Sequence, residues 1–334
     1  MKIILPVAGK GTRLRPHTFS KPKSLVRVAG KTVLQHVLDG LKPLKAEEYI
    51  FIVDENGHII EKYVEERYPE LKAYYVEQKE QLGPAHAVSL ASEHISEGDD
   101  LLIVFNDTLF VTDLSRIPFL CEGLDGLIYS KEVEDPKRFG VNVVKNGIIT
   151  EMVEKPDTFV SNLAQVGMYY LKDGLLFMKY LKQSIESGLR TKGEFYLPAA
   201  FELMIKDGYK FGAPEIEEWL DCGKPDTLLK TNRYLLERAP SNHKCIEGCV
   251  IIPPVSIHPR AEVSHAVIGP YVSVAEDCRI SDCIIKDSVI SAGAVLQNVI
   301  LEDSIIGDSA ELYGQSQRLN IGDNSILDFT PYRK

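Results

Sequence analysis

The chain has 334 residues, longer than one hydrophobic core usually spans, so its length predicts one large domain and a smaller one. Apolar residues make up 44% and charged residues 26%, and 48 acidic against 38 basic side chains give a formal charge of -10, which argues against a broad electrostatic grip on nucleic acid. No run of eighteen apolar residues occurs, and Lys2-Ile3-Ile4-Leu5-Pro6-Val7 is too short for a signal-peptide core; the expectation is a cytoplasmic protein with no membrane partner. Six cysteines (Cys121, Cys222, Cys245, Cys249, Cys278, Cys283) show no CxxC pair and no zinc-like spacing to histidine, and read as reduced and structural.

Short β-branched runs alternate with helical patterns from the start: Ile3 to Leu5, Tyr49 to Val53, Ala73 to Val76 and Leu101 to Phe105 read as strands. Between them, residues 33–44 place Val33, Val37, Leu38 and Leu41 at helical spacing, and residues 85–95 follow the helix-starting Pro84. This alternation predicts an α/β domain with a mixed, mostly parallel sheet covered by helices. Residues 127–171 turn strand-rich, with Asn146-Gly147 as a hairpin signal, and read as an insert seated on that sheet. Helices return over residues 175–184, 196–206 and 225–238, and a polar loop with Pro240 then marks a boundary. The predicted domains are 1–238 and 239–334.

The second domain carries a repeat. Residues 283–290 (CIIKDSVI) and 299–306 (VILEDSII) align at an offset of sixteen. Ala261, Cys278, Ala294 and Ala310 share a small-residue place. Aliphatic residues recur at Ile268, Val274, Ile280, then Ile284, Ile290, Leu296, then Ile300, Ile306, Leu312, which predicts a triangular solenoid with three aliphatic positions per coil. It resembles the left-handed β-helix of hexapeptide repeats, here short, with about four coils.

Directly after the first strand stands Ala8-Gly9-Lys10-Gly11-Thr12-Arg13-Leu14-Arg15-Pro16. The freed backbone N–H groups of such a turn can approach phosphate oxygens, and Arg13 can offer two parallel donors. The loop is neither GxxxxGK[ST] nor GxGxxG. With Pro22-Lys23-Ser24-Leu25 close behind, GxGTRLxP resembles the signature of the sugar-1-phosphate nucleotidyltransferases. The resemblance continues in order along most of the first domain. Residues 78–87 (QKEQLGPAHA) look like the family's base-reading segment, Asn106-Asp107 like its metal-binding turn, and Glu151-Met152-Val153-Glu154-Lys155-Pro156 like its sugar-phosphate motif. Glu218-Trp219-Leu220-Asp221-Cys222-Gly223-Lys224-Pro225 resembles the element carrying its second metal ligand.

What the resemblance implies is a Rossmann-like nucleotidyltransferase domain that joins a nucleoside triphosphate to a sugar-1-phosphate and releases pyrophosphate. Leu5, Ala8, Gly9, Gly11, Thr12, Arg13, Gln78, Gly83 and Asn106 would hold the nucleotide, dTTP or UTP. Gly140, Glu154, Lys155, Gly167 and Glu194 would hold the sugar phosphate, with glucose-1-phosphate the leading substrate. Asp107 and Asp221 would bind Mg²⁺, while Arg13 and Lys23 neutralise the reacting phosphates. A phosphate dianion is itself a competent nucleophile, so no general base is required. Asn106, Arg27, Thr32, Pro84 and Lys224 depart from the family's letters and leave the substrate open. Two other classes are a sugar-nucleotide-binding regulator without turnover and a bifunctional nucleotidyl and acyl transferase, the second because His258 and His265 lie near the solenoid. Retention of Arg13, Lys23, Asp107, Lys155 and Asp221 argues against the regulator, and the shortness of the solenoid against the acyltransferase. The solenoid's exposed end coil and strand edges suit subunit contact, so a homo-oligomer is expected.

Overall fold

A computed structural model describes residues 1–188, 190–191, 193–239 and 246–315; Cys245 lies outside them. The chain forms two compact units, Met1–Arg238 and Ala239–Lys334.

In the first unit, β1 (Lys2–Pro6), β4 (Glu48–Val53), β5 (Ala73–Glu77) and β6 (Leu101–Val104) are parallel, in the order β5-β4-β1-β6. β1 and β6 are nearly all apolar, as strands covered on both faces must be. The short hairpin β2 (Arg27–Val28) and β3 (Lys31–Thr32) leads into α1 (Val33–Leu41), whose first turn is capped by Thr32 Oγ1 accepting from Gln35 N. A second helix, α2 (Gly57–Arg67), is weakly amphipathic and fills the stretch between β4 and β5, where the alternation of strands and helices expects one. The helix expected over residues 85–95 is shorter: α3 (Pro84–Ser89) gives way to a separate turn of 3₁₀ helix at Ser92–His94.

The sheet then continues through strands that pair antiparallel, except for one parallel pair. After β7 (Thr108–Val111) and α4 (Ile117–Leu120) come β8 (Gly126–Glu132), β9 (Gly140–Lys145), β10 (Ile148–Glu154) and β11 (Leu163–Leu171), completed by β12 (Phe211–Gly212). Their order beyond β6 is β11-β8-β12-β10-β9. The strand-rich stretch is therefore no insert resting on a sheet. β11 pairs directly with β6 and carries the same nine-stranded sheet onward, because its continuous buried run hydrogen-bonds on both edges. Asn146 and Gly147 do close the β9–β10 hairpin, with φ of 52° and 78°.

α5 (Gly174–Glu186) and α6 (Pro198–Lys206) cover one face through a ring cluster of Tyr169, Phe177, Phe201 and Phe211, with centroids 5.0 to 5.5 Å apart. Asp173 caps α5, its Oδ1 accepting from Leu176 N at 2.8 Å. β13 (Glu218–Asp221) pairs antiparallel with β7, setting Asp221 opposite Thr108, and α7 (Pro225–Arg238) closes the unit.

The second unit is the left-handed β-helix, with four described coils. They are β14 (Val250–Ile251), β15 (Val255–Ile257) and β16 (Glu262–Ser264); β17 (Val267–Ile268), β18 (Val272–Val274) and β19 (Arg279–Ser281); β20 (Ile284–Ile285), β21 (Val289–Ile290) and β22 (Val295–Gln297); β23 (Ile300–Leu301), β24 (Ile305–Ile306) and β25 (Glu311–Tyr313). Corresponding strands stack in parallel into three four-stranded sheets. Left-handed φ recurs at the same corners of successive coils: His265, Asp282 and Asn298; Tyr271, Asp287 and Asp303; Asp277, Gly293 and Ser309. Asp, Asn and Gly tolerate that conformation best, so they dominate the corners. Cys278 and Ala294, each just after a corner, are fully buried.

Two aliphatic positions differ from the sequence expectation. Ile284 and Ile300 point outward, 48% and 78% exposed, while Ile285 and Leu301 stand in register with buried Ile268. The physical reason is a shortened side. Ile280 to Ile285 and Ile285 to Ile290 are each five residues apart, one short of a hexapeptide, so a spacing of six counted back from Ile290 lands on Ile284 and misplaces the face.

Candidate active site

The loop after β1 is shaped by Gly11. Its φ is 58°, and a Cβ there would stand 2.9 Å from Lys23 Cβ and 3.0 Å from Thr18 Cγ2. Thr18 Oγ1 donates to the Gly11 carbonyl at 2.8 Å, and buried Leu14 pins the following turn. A second short turn, Lys23–Leu25, is anchored by buried Leu25 and carries Lys23 back beside the loop. At the carboxyl end of β6, Asn106-Asp107 turns the chain into β7, and Lys23 Nζ lies 3.5 Å from Asp107 Oδ2.

The pairing of β7 with β13 brings Asp221 to the same place from 114 residues away in sequence. Asp221 Oδ1 accepts from the Gly223 N–H at 2.6 Å. A Cβ on Gly223 would stand 2.8 Å from Asp221 Oδ1, 3.2 Å from Arg13 Nη2 and 3.5 Å from Lys23 Nζ. Two cations and a carboxylate thus converge around a backbone that only glycine keeps open. Two carboxylates with hard oxygen donors fit a Mg²⁺ that takes its remaining ligands from phosphate and water, and no group of three or more metal-ligating side chains exists among the described residues.

Two cavities meet at this point. The first, about 370 Å³, is lined by the glycine loop (Ala8, Gly9, Gly11, Thr12, Arg13), Lys23, Gln78, Gly83, Asn106, Asp107 and Glu194. The second, about 210 Å³, takes in Gly140, Glu154, Gly167, Tyr196 and Trp219. Pro84, Phe105 and Asp107 line both. Leu5 lines neither: it is fully buried within β1, and Pro6 reaches the cavity instead. Asp221 and Lys155 line neither cavity; Asp221 is bonded to Gly223, which lines the first, and Lys155 to Tyr196, which lines the second.

Lys155, with φ of 48°, donates from Nζ to Tyr196 Oη at 2.5 Å and sits 3.4 Å from Glu154 Oε1. Tyr196 in turn donates to Glu194 Oε2 at 2.6 Å. Burial, with the Glu194 and Glu154 charges beside it, pushes the Tyr196 phenol well above its ordinary range, so the hydroxyl stays protonated. Gly140 admits Glu154 against the backbone; a Cβ there would be 2.7 Å from Glu154 Oε2.

Several lining residues were given no role from sequence. Ser24, Phe105 and Trp219 lie within or beside the quoted motifs and Gln165 and Tyr196 two residues from Gly167 and Glu194, and only the fold shows that they line the cavities. Ser24 Oγ, Asn106 Nδ2 and Trp219 Nε1 are buried polar atoms with no hydrogen-bond partner among the described residues. Buried groups of this kind are normally satisfied; these three belong to cavity-lining residues, whereas others, Tyr75 Oη and Tyr129 Oη among them, lie away from both cavities.

A cation-bearing glycine turn at the carboxyl ends of a parallel sheet, facing two carboxylates, defines an α/β enzyme site for phosphate transfer. The Nucleotidyl transferase family model matches residues 1–238, and the chain belongs to that family. A GlmU-like C-terminal hexapeptide model matches residues 241–296. UTP-glucose-1-phosphate uridylyltransferase AglF of Haloferax volcanii is 33% identical over 250 residues, covering 71% of this chain and 97% of that protein. The Bifunctional protein GlmU of Methanocaldococcus jannaschii is 33% identical over 256 residues, and the match covers 75% of this chain but 59% of GlmU. Among solved structures, UDP-glucose pyrophosphorylase complexed with UDP-glucose superposes with a TM-score of 0.62 at 21% identity, covering 71% of this chain and 99% of that one. The UTP-bound UGPase of Acinetobacter baumannii gives 0.59 at 23% identity, covering 72% and 94%. At such identities these two show the fold. No described helix is long and apolar enough to cross a membrane.

Proposed function

We propose that this nucleotidyltransferase transfers a uridylyl or thymidylyl group from UTP or dTTP to glucose-1-phosphate. An oxygen of the sugar phosphate attacks the α-phosphorus, the bond to the β-phosphate oxygen breaks, and pyrophosphate leaves. The observation that carries the reading is Asp107, which lines both cavities and so stands where two substrates would meet. The first cavity takes the nucleotide, with Gly9 and Gly11 against its phosphates and Gln78 and Gly83 at its base. The second takes the sugar phosphate: Glu154 accepts from sugar hydroxyls and Lys155 supplies charge through its link with Tyr196. Arg13 and Lys23 neutralise the phosphates, which is the main catalytic demand when the nucleophile needs no deprotonation.

Asp107 and Asp221 would hold Mg²⁺, which when bound supplies charge neutralisation on phosphate oxygens. The relative matched over 97% of its own length acts on glucose-1-phosphate with UTP by its name, which favours that pair. The chain acts as a cytoplasmic homo-oligomer, and the column Val250, Val267, Ile284 and Ile300 on successive coils, exposed at all but Val267, supports contact through the β-helix. A matrix of four nucleoside triphosphates against several sugar-1-phosphates, read by pyrophosphate release with Mg²⁺, tests the assignment. Release with UTP or dTTP and glucose-1-phosphate is expected, and preference for another pair would overturn the substrate reading.

A further inference from the structure

Gln78 follows β5 and is more than nine-tenths buried, yet it lines the first cavity. Its Nε2 stands 3.4 Å from the Gly83 carbonyl oxygen and 3.2 Å from Nδ1 of His86. The first contact decides which end of the amide is which, because a carbonyl oxygen only accepts and so calls for the nitrogen. The second amide proton then goes to His86 Nδ1, which must be the unprotonated ring nitrogen, leaving the imidazole proton on Nε2. The backbone turn at Gly83, with φ of 112°, is what returns the chain so that His86 on α3 reaches a residue eight positions earlier. Both amide protons are used inside the protein, and Oε1 is the atom left for a ligand.

We propose that His86 is a positioning residue for base selection: by accepting the second amide proton it keeps the Gln78 oxygen toward the bound base, so that the site selects a pyrimidine bearing an imino N3–H. Uracil and thymine present that proton. Cytosine presents an unprotonated nitrogen at the same ring position, setting lone pair against lone pair. Without His86 the amide loses one of the two acceptors that orient it and can turn its NH₂ toward the base, which removes the distinction. The inference rests on the reading of the first cavity as the nucleotide site.

Calorimetric titration of UTP and CTP into the full chain, as wild type, His86→Leu and His86→Asn, tests it. Asparagine carries a carbonyl acceptor that falls near the place of Nδ1. Wild type is expected to favour UTP over CTP by about tenfold or more, His86→Leu to lose about tenfold of that ratio, and His86→Asn to retain it. A wild type that binds CTP as tightly as UTP or binds neither, a ratio unmoved in His86→Leu, or a loss in His86→Asn equal to that in His86→Leu would each overturn the proposal. Binding needs no turnover, so a chain that binds UTP selectively but releases no pyrophosphate would defeat the proposed activity and leave this result intact.

Discussion

Replacing Gly223 with alanine should leave the fold standing and remove most of the activity. The new Cβ would lie 2.8 Å from Asp221 Oδ1, closer than real Cβ atoms approach, and 3.2 Å from Arg13 Nη2. Both contacts are ends of flexible side chains, so these move and the backbone does not. Asp221 is then driven from the 2.6 Å hydrogen bond it accepts from the Gly223 N–H. Gly223 does not hold a left-handed φ, so alanine brings no backbone strain there and restricts the unfolded chain, worth about 0.5 kcal/mol in favour of the fold. Misplacing reacting groups by about 1 Å costs on the order of 10²-fold in rate, or about 2.7 kcal/mol of barrier. Pyrophosphate release and thermal denaturation, measured on the same preparation, should therefore separate: kcat/KM down by about 10²-fold, with Tm near that of wild type. Turnover within about threefold of wild type would refute the claim that Asp221, Arg13 and Lys23 act together around Gly223.

Further outcomes follow from other parts of the molecule. Tyr196→Phe removes the hydroxyl between Lys155 and Glu194 and should raise KM for the sugar phosphate by about threefold to tenfold, with a smaller change in KM for the nucleotide; equal changes in both would contradict the division into two cavities. Burial holds the His36 imidazole below its usual range, aided by the Lys31 charge and opposed by the bond to the Val28 carbonyl and by Asp39. The unfolded chain therefore takes up this proton first, and its contribution to stability is full above about pH 6.5 and is lost as pH falls through the folded-state value. His36→Gln should flatten that loss in urea unfolding at neutral and mildly acidic pH, and an unchanged pH slope would count against it. Ile284→Lys with Ile300→Lys should lower the mass seen by light scattering while leaving the first domain's nucleotide binding unaltered; an unchanged oligomer would remove this face from the contact.

The strands and helices of the first domain were readable because their burial is periodic. β1 and β6 are short continuous apolar runs, and Asn146-Gly147 is a turn that almost names itself. The strand-rich middle stretch was recognised but misplaced, since a local pattern does not say that β11 pairs with β6. The same limit applies at the site. Arg13, Lys23, Asp107 and Asp221 stood out as motif residues, but their meeting depends on the β7–β13 pairing between distant segments. The internal link from Lys155 through Tyr196 to Glu194, and the bond between Gln78 and His86, are side-chain facts with no periodic signature. In the β-helix the small buried residues are legible, whereas a spacing of six counted back from Ile290 and Ile306 falls on Ile284 and Ile300, because the preceding side has only five residues.

On the proposed reading, Asp107 stands at the junction of nucleotide and sugar phosphate, and transfer takes place there. Pyrophosphate released from UTP and glucose-1-phosphate in the presence of Mg²⁺, by wild type and by Asp107→Asn of unchanged circular dichroism, tests it most directly. Release matched mole for mole by UDP-glucose is expected in wild type, with a reduction of at least about 10²-fold in Asp107→Asn. Nucleotide binding without release from wild type, or near-normal release from Asp107→Asn, would contradict it.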